Sequence, residues 1–320
     1  MSLSIGRKGF TGLGLQTGFQ VPATIADYVE FTDNDIHGMV DQLVQDQATG
    51  LREKIKSTVT GKKWSEGTIE LYADSKIAGY FMAGALGTTQ SVNLAGSVYR
   101  HTITRNNSNT PQFLTLTNDR VVDQEIYADI AIDELELSTE LEFAKISAKV
   151  FGNFPQTTTS GTKTTASGNL FSFKDSQFAF ATTISGAQTA TNLKPHDFKA
   201  TIKNNTEVIH AHGSALPRSI NHKEFEAEAE FTLYFENVTD RDAYYNQSKQ
   251  AASYQMLGNG IGGGYQESLA LNFYQTSVQS FALETGLANF YAEKVKLTAE
   301  LDTASGRVVD CVITNTKSSY

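Results

Sequence analysis

A strict alternation of acidic and apolar residues runs through residues 223–236. Even-numbered positions carry the acids and odd-numbered positions the apolar residues: Glu224, Glu226, Glu228 and Glu230 against Phe225, Ala227, Ala229, Phe231 and Leu233. Successive side chains of a β-strand point to opposite faces, so a period of two predicts a strand. We therefore predict a strand with one apolar face and one acidic face.

A second stretch, residues 62–74, resembles the first. Its segment 69–74, Ile-Glu-Leu-Tyr-Ala-Asp, aligns with residues 231–236, Phe-Thr-Leu-Tyr-Phe-Glu, and every position keeps its parity. The distances from each strand to a later Tyr-Ala-acid triplet are also nearly equal, at 53 positions from Asp74 to Tyr127 and 55 from Glu236 to Tyr291. Matched segments at matched spacing predict two copies of one β unit.

A helix is predicted after each of these two strands. Asp74 and Ser75 are typical N-cap residues, residues 76–86 are apolar and rich in small side chains, and Gly87 fits the C-cap. The second helix, over residues 239–251, is far more polar. We expect the apolar helix to close one end of a sandwich or barrel.

Residues 127–151 form another strongly alternating region. The phase of the alternation reverses ahead of Asp133, where Ile130 and Ile132 have the parity that glutamates have afterwards. A one-residue shift moves every side chain to the other face, so the reversal predicts a bulge or tight turn near Asp133. Strands are also predicted at residues 98–105 and from residue 197, and a glycine-rich loop at 258–264.

These elements divide the chain into three segments. Residues 1–24 hold five glycines and few residues that could pack a core, which favours an extended N-terminal assembly arm ordered by a neighbouring surface. Residues 25–170 form the first β unit and end in a Thr/Ser/Gly-rich loop at 156–169. Residues 171–320 form the second unit.

Composition narrows the class of function. The chain has 320 residues, enough for a large buried core, and a formal net charge of −9. That charge argues against a protein that grips nucleic-acid phosphates. Cys311 is the single cysteine, so no intrachain disulfide framework is expected. The first ten residues lack the apolar core of a secretory signal, and we expect synthesis in a reducing cytosol.

Candidate catalytic residues are scarce. No Gly-x-Ser-x-Gly elbow is present, and Cys311 has no histidine at the spacing that cysteine hydrolases use. A glycosidase needs one carboxylate pair, whereas carboxylates here recur at every second position of a strand, which describes a surface. We therefore predict that the protein is not an enzyme and has no cofactor or metal site.

The acidic faces themselves require an explanation. Neighbouring glutamates on one strand face stand about 7 Å apart and repel each other by about 0.6 kcal/mol in water. A solvated face would normally intersperse lysine with glutamate, and lysine is scarce inside these runs. One interpretation is an ordinary solvated face. The other is a surface that must not adhere to a polyanion.

Three stretches together carry a family resemblance. They are the glycine-rich I-G-R-K-G-F-T-G-L-G-L-Q-T-G at residues 5–18, the strand W-S-E-G-T-I-E-L-Y-A-D at 64–74 with its small-residue helix, and V-Y-R-H-T-I-T at 98–104. In these stretches and in layout, the chain resembles the major tail tube proteins of long-tailed bacteriophages, of the long non-contractile type. The resemblance extends over nearly the whole chain and rests on pattern.

The resemblance implies an all-β fold with minor helices, a β-sandwich whose strands join those of other subunits in a central barrel. Subunits would form rings, and stacked rings would conduct viral DNA without binding it specifically. The implied partners are other copies of the chain and the tail tip, terminator and tape-measure proteins. The implied location is the virion tail, with no membrane.

Two groups of residues acquire expected roles from this resemblance. The acids expected to face the lumen are Glu66, Glu70, Glu226, Glu228 and Glu230. The arm residues expected to bridge rings are Gly6, Arg7, Lys8, Gly9, Phe10, Gly12 and Gly14. Tube proteins of this kind generally close rings of six β units, so two units per chain predict a trimer, and a single decorated unit predicts a hexamer.

Two other classes remain open from the sequence. An outer-membrane porin shares the length, the alternation and the acidic, tyrosine-rich composition, but it should have a signal peptide and apolar outward faces. A jelly-roll adhesin or carbohydrate-active enzyme would also be rich in strands. Electron microscopy of concentrated protein discriminates among the three classes, because only the tube protein should polymerise.

Overall fold

A computed structural model of the chain describes residues 8–47, 55–158, 168–284 and 290–320. The prediction of an all-β protein with minor helices is confirmed. The strands are β1 (Phe10–Leu15), β2 (Asp27–Val29), β3 (Asp33–Asn34), β4 (His37–Asp46), β5 (Ile55–Tyr72), β6 (Gly87–Ala95), β7 (Val98–Arg105), β8 (Leu114–Asp119), β9 (Gln124–Thr139), β10 (Lys145–Gly152), β11 (Gln156–Thr157), β12 (Ser176–Ala181), β13 (Asp197–Lys203), β14 (Glu207–Ile209), β15 (Ser219–Asn221), β16 (Glu226–Tyr234), β17 (Gln250–Gly262), β18 (Tyr265–Glu284), β19 (Ala292–Glu300) and β20 (Val309–Asn315). The helices are α1 (Ile77–Leu86), α2 (Ile184–Ala187) and α3 (Thr239–Asn246), and a 3-10 turn covers Phe173–Asp175.

Eight of these strands form one continuous antiparallel sheet, which we call the long sheet. Its spatial order is β4, β5, β10, β9, β13, β16, β19, β18. Side chains of one parity face the core and are almost fully buried, among them Ile69, Leu137, Ala200, Phe231 and Leu297. Side chains of the other parity form what we call the polar face. The alternation in the sequence is therefore the alternation between core and polar face.

Further strands pack over the inner face of the long sheet. β9 and β18 belong to both layers, because their first halves pair with β8 and β17 and their second halves with β10 and β19. β1 lies between β2 and β8, while β18 pairs with β20, and β20 with β7. One hydrophobic cluster contains residues from all these strands, from Leu13 to Ile313. Both halves of the chain therefore share one core.

The course of β9 explains the reversed phase in the sequence. Asp129 is buried and has a left-handed backbone with φ of 57°, which Gln20 and Asn153 stabilise by donating hydrogen bonds to its carboxylate. The pairing with β10 then shifts by one residue, since Lys149 faces Glu134 and Val150 faces Ile132. Asp133 is the extra residue, so the predicted bulge is confirmed.

The predicted helix α1 is also confirmed, with its first helical residue one position later. The Asp74 carboxylate accepts hydrogen bonds from the backbone nitrogens of Lys76 and Ile77, each at 2.7 Å, and so caps the helix. Gly87 ends it with φ of 103°. All ten residues of α1 are buried, which accounts for the absence of a polar stripe.

Three boundaries differ from the predictions. α3 ends at Asn246 because Gln247 adopts a left-handed conformation, with φ of 50°, and β17 begins at Gln250, so the predicted helix to residue 251 is wrong in its last turn. β17 runs through most of the predicted glycine loop to Gly262. Of the predicted loop at 156–169, residues 156–157 form β11, and residues 159–167 lie outside the described part of the chain.

The predicted N-terminal arm is wrong from Phe10 onward. Residues 10–15 form β1, paired on both sides, and Leu13 is fully buried in the core. Gly12 and Gly14 permit this close packing, since a Cβ on either would overlap neighbouring atoms of Ile25 or Thr24. Gly6 and Arg7 lie outside the described residues, whereas Lys8 and Gly9 directly precede the strand.

Gly79 in α1 provides a test of how the core is packed. A Cβ at this position would lie deep inside van der Waals contact with the Tyr320 ring. Tyr320 packs edge-on against Tyr80 and His101, and its hydroxyl donates to the Lys76 carbonyl at 2.7 Å. Gly79→Ala should therefore destabilise the fold by about 2 kcal/mol from overpacking, which exceeds the roughly 1 kcal/mol that alanine contributes to helix propensity.

Urea denaturation measures this change, and a double-mutant cycle supplies its control. In a Tyr320→Ala background the ring is absent, so Gly79→Ala should become neutral or stabilising by up to about 1 kcal/mol. Equal destabilisation by Gly79→Ala in both backgrounds would contradict this account.

Candidate functional site

All five glutamates that the sequence analysis singles out lie on the polar face of the long sheet. Glu66 and Glu70 are on β5, and Glu226, Glu228 and Glu230 are on β16. Each alternates along its strand with side chains that turn into the core. The two strands are not neighbours, because β10, β9 and β13 lie between them.

The intervening strands add to the same face. Residues directly opposite each other on adjacent strands share a face. One row of such partners crosses the sheet and alternates acids with hydroxyl groups: Glu70, Ser147, Glu136, Thr201, Glu228, Thr298 and Ser277. The next row contains three lysines: Tyr72, Lys145, Ser138, Lys199, Glu230, Lys296 and Ser280.

Lysines therefore stand between the acidic strands. Lys199 reaches Glu136 at 2.5 Å, Lys294 reaches Glu230 at 2.5 Å, and Lys296 reaches Glu228 at 3.0 Å. The hydrogen bond from Lys294 to the Glu230 carboxylate raises the pKa of the lysine ammonium, so the lysine stays charged. Half-exposed pairs of this kind add little stability. Their consequence is electrostatic: the lysine charges are neutralised by carboxylates on the same sheet.

Acids remain in excess on this face. Among the described residues, Glu70, Glu134 and Glu226 form no ion pair within 4.0 Å. Each lysine of the polar face lies on a strand that has a glutamate-bearing strand, β5, β9 or β16, beside it. These lysines are Lys145, Lys149, Lys199, Lys203, Lys294 and Lys296. No arginine lies among these positions. The face is polar, mixed in charge and acidic on balance.

None of these lysines is among the site residues predicted from the sequence, although the sequence contains a signal for them. β10, β13 and β19 each carry two lysines of the same parity, as in Lys145-Ile-Ser-Ala-Lys149. Their parity opposes that of the apolar residues, so they could be assigned to a polar face. Which strands become neighbours is decided by contacts far apart in sequence, and alternation carries no information about that.

The long sheet has two free edges. Among the described residues, β4 pairs only with β5, and residues 277–284 of β18 pair only with β19. Each edge exposes backbone donors and acceptors that can pair with another strand. An edge of this length in a stable protein is normally covered, so the two edges are candidate assembly surfaces.

One part of the first edge extends beyond the sheet. Residues 40–46 and 55–63 pair with each other, whereas β10 covers β5 only from Ser65 onward. We call this the projecting hairpin. It carries apolar side chains that are about half exposed or more: Val40, Leu43, Val44, Ile55 and Val59. A group of exposed apolar residues on a monomer indicates an interaction site.

A buried carboxyl pair lies between α3 and β19. Glu293 is only 3% exposed, and in its protonated form it donates a hydrogen bond to the Asp240 carboxylate. Burial, together with the negative charge of Asp240, raises the pKa of Glu293 to about 7. The pair is structural, because it faces the core side of the long sheet, opposite Leu233.

Because of this carboxyl pair, we expect the free energy of unfolding to fall as the pH rises. Between pH 4.5 and about 7 the folded state holds a proton on Glu293 that the unfolded chain has released, so the free energy of unfolding decreases with pH. Glu293→Gln cannot ionise and can still donate to Asp240. It should stabilise the protein at pH 8 by about 1–2 kcal/mol and flatten the pH dependence.

Urea denaturation at pH 5 and pH 8 checks this expectation. Glu70→Gln, at an exposed position of the polar face, is the matched control and should change neither curve. A Glu293→Gln protein that keeps the pH dependence of the unmodified chain would refute the assignment.

The described residues offer neither a metal site nor a membrane-spanning helix. They hold no cluster of three or more His, Cys, Asp or Glu side chains placed to bind a metal ion. Over the same part of the chain, no helix has the length and apolar character needed to cross a membrane. In comparisons with known proteins, no family model and no curated protein matches the chain.

Proposed function

We propose that this protein is a structural subunit of a phage tail tube, and that three copies close a ring whose lumen is lined by the polar face. One observation carries the proposal: the long sheet repeats the same strand arrangement twice and ends in two free edges. A sheet with one face on its own core and the other charged fits the wall of a water-filled tube. The protein would have no catalytic role.

The two halves of the long sheet have the same topology. The first four strands of the long sheet, β4, β5, β10 and β9, occur in chain order as first, second, fourth and third. The next four, β13, β16, β19 and β18, have the same order. A helix follows the second strand in both halves, α1 in one and α3 in the other. These correspondences support two tandem β units.

The pairing register supports the sequence alignment of the two units. A bulge interrupts β9 opposite Lys149 and another interrupts β18 opposite Lys296, which makes those lysines equivalent. Lys149 faces Thr68, and Lys296 faces Glu230. Thr68 and Glu230 are therefore equivalent, and so are the residues that follow them, Ile69 and Phe231. The alignment of residues 69–74 with 231–236 in the sequence makes the same match.

The topology does not support the other part of the alignment. Tyr127 lies in β9, whose topological counterpart is β18, whereas Tyr291 directly precedes β19. The first unit contains the additional hairpin β6–β7 after its helix, which the second lacks. The near-equal spacings of 53 and 55 positions therefore arise without strand equivalence.

The strand count is compatible with ring closure. Each chain contributes eight strands, and β18 at one edge runs antiparallel to β4 at the other, because eight is even. Three chains would give a barrel of twenty-four strands from six similar units. Closed cyclic rings with one repeated interface are the usual form of homo-oligomers.

Electron microscopy of the concentrated protein tests the proposal. We expect tubes with threefold symmetry in end-on views, and isolated rings with a mass of about 105 kDa, three times the 34.9 kDa chain. Sixfold rings would overturn the trimer, and a protein that stays monomeric under all assembly conditions would overturn the tube.

A further inference from the structure

The junction between the two halves of the long sheet is a complete strand pairing inside one chain. β9 ends the first half and β13 begins the second, and six consecutive residue pairs join them. Lys199 lies opposite Ser138, Thr201 opposite Glu136, and Lys203 opposite Glu134. If the two halves are copies, the same junction must recur wherever a second half meets the next first half.

The free edges are the counterparts of these two strands. β18 corresponds to β9, and residues 280–284 of its free segment follow the bulge at Gln279 as the paired segment of β9 follows the bulge at Asp133. The first residue after the bulge is Glu134 in β9 and Ser280 in β18, so Glu136 corresponds to Ala282.

The residues of β4 that correspond to those of β13 follow from the strands beside them, β5 and β16. Thr201 faces Glu228, and His37 faces Glu66. Since Thr68 corresponds to Glu230, Glu66 corresponds to Glu228, and His37 therefore corresponds to Thr201. The pair Thr201–Glu136 inside the chain thus corresponds to a pair of His37 with Ala282 between chains.

Resting on the proposed function, we propose that the two free edges pair with each other between neighbouring copies of this chain, in a register that sets His37 opposite Ala282. Met39 then lies opposite Ser280, and Ile36 opposite Leu283. The partner is a second copy because the chain already contains the junction that such a copy would make.

The chemistry of the two edges is compatible with this register. Leu283 is 44% exposed, and pairing places it on the core side beside the buried Ile36, as Leu137 lies beside Ala200 within the chain. His37 and Ala282 are both exposed on the polar face. The one unfavourable pair sets Asp35 opposite Glu284.

Each member of that acidic pair has a partner of its own. The Asp35 carboxylate accepts a hydrogen bond from the backbone nitrogen of Thr68, and Glu284 interacts electrostatically with Lys294. A one-residue slip would place Ile36 and Leu283 on opposite faces of the sheet and lose their contact. The apolar pair therefore decides the register.

Engineered disulfides test the register in the assembled protein. Directly opposite residues in an antiparallel pair have Cα atoms about 4.5–5.5 Å apart, within disulfide range, whereas diagonal pairs at about 7–8 Å exceed it. His37→Cys with Ala282→Cys should form covalent trimers under oxidised glutathione at least tenfold faster than His37→Cys with Ser280→Cys. Cys311 is fully buried and common to all variants.

The outcomes separate this inference from the proposed function. Threefold rings that cross-link faster at the shifted pair, or at neither pair, would overturn the register and leave the tube intact. Absence of rings from the unmodified chain would overturn the proposed function itself. As a second measurement on the unmodified protein, the amides of residues 277–284 should gain hydrogen-exchange protection on assembly; unchanged exchange would overturn the pairing.

Discussion

Replacing Leu43 and Val59 by glutamate should abolish tube formation and leave the subunit folded. The two residues lie opposite each other in the projecting hairpin and are 57% and 63% exposed. In the proposed tube the next ring would cover them, and this apolar burial would contribute on the order of 2 kcal/mol per subunit. Two carboxylates at that contact would remove the favourable free energy of apolar burial and add the cost of burying charge. We expect the concentration needed for tube growth to rise more than 100-fold.

Negative-stain microscopy and sedimentation at increasing protein concentration measure this effect. Val122→Glu is the control, because Val122 is 76% exposed in the turn between β8 and β9, and neither of these strands pairs with the hairpin. It should assemble normally. The doubly substituted protein should unfold in urea at the same midpoint as the unmodified chain, within about 0.5 kcal/mol. Normal tubes from it would exclude the hairpin from the stacking contact.

If the projecting hairpin forms the contact between rings, it takes the role that the sequence predicts for the N-terminal arm. A glycine-rich segment without a core-forming pattern reads as an arm in the sequence, yet residues 10–15 form a buried strand. The glycines allow close approach: Gly12 leaves no room for a side chain between β1 and the Ile25 side chain. Flexibility and close packing select the same residue, so the sequence alone cannot separate them.

Local features of the fold could be predicted, because local rules produce them. The strand at β16 follows from a period of two, the cap at Asp74 from a side chain that reaches the backbone amides two and three residues further on, and the bulge at Asp133 from a break in phase. Each depends on residues within about one turn or a few strand positions. These three predictions are correct because each feature depends only on residues that are close together in the sequence.

The order of strands could not be predicted, because it is a property of the core as a whole. β16 carries the acids and β13 and β19 carry the lysines that flank them. The glutamates of β16 have no lysines between them in the sequence, but in the sheet they lie beside the lysines of the two neighbouring strands. The surface remains acidic on balance, so we still expect that it does not retain DNA. The reason changes, because four of the six lysines of the polar face form ion pairs with carboxylates of the same sheet, and the acids without ion pairs supply the repulsion.

Reversing two of those acids should turn the polar face, the proposed lining of the lumen, into a DNA-binding surface. Glu70 and Glu226 form no ion pair among the described residues, and substitution of both by lysine changes the charge by four per chain and by twelve per three-chain ring. The neighbouring carboxylates are too few to neutralise the added lysines. DNA phosphates would then release counterions on entry, and affinity would depend steeply on salt.

Retention of a fluorescent DNA duplex by assembled tubes measures the effect. Unmodified tubes should retain none, whereas Glu70→Lys with Glu226→Lys should retain DNA at 50 mM salt and lose at least 100-fold in affinity by 200 mM. Glu30→Lys with Asp123→Lys is the matched control, with the same change of charge at exposed positions off the polar face. Equal retention by both double variants would mean that net charge, and not the polar face, governs contact with DNA. No retention by the polar-face variant would remove that face from the lumen.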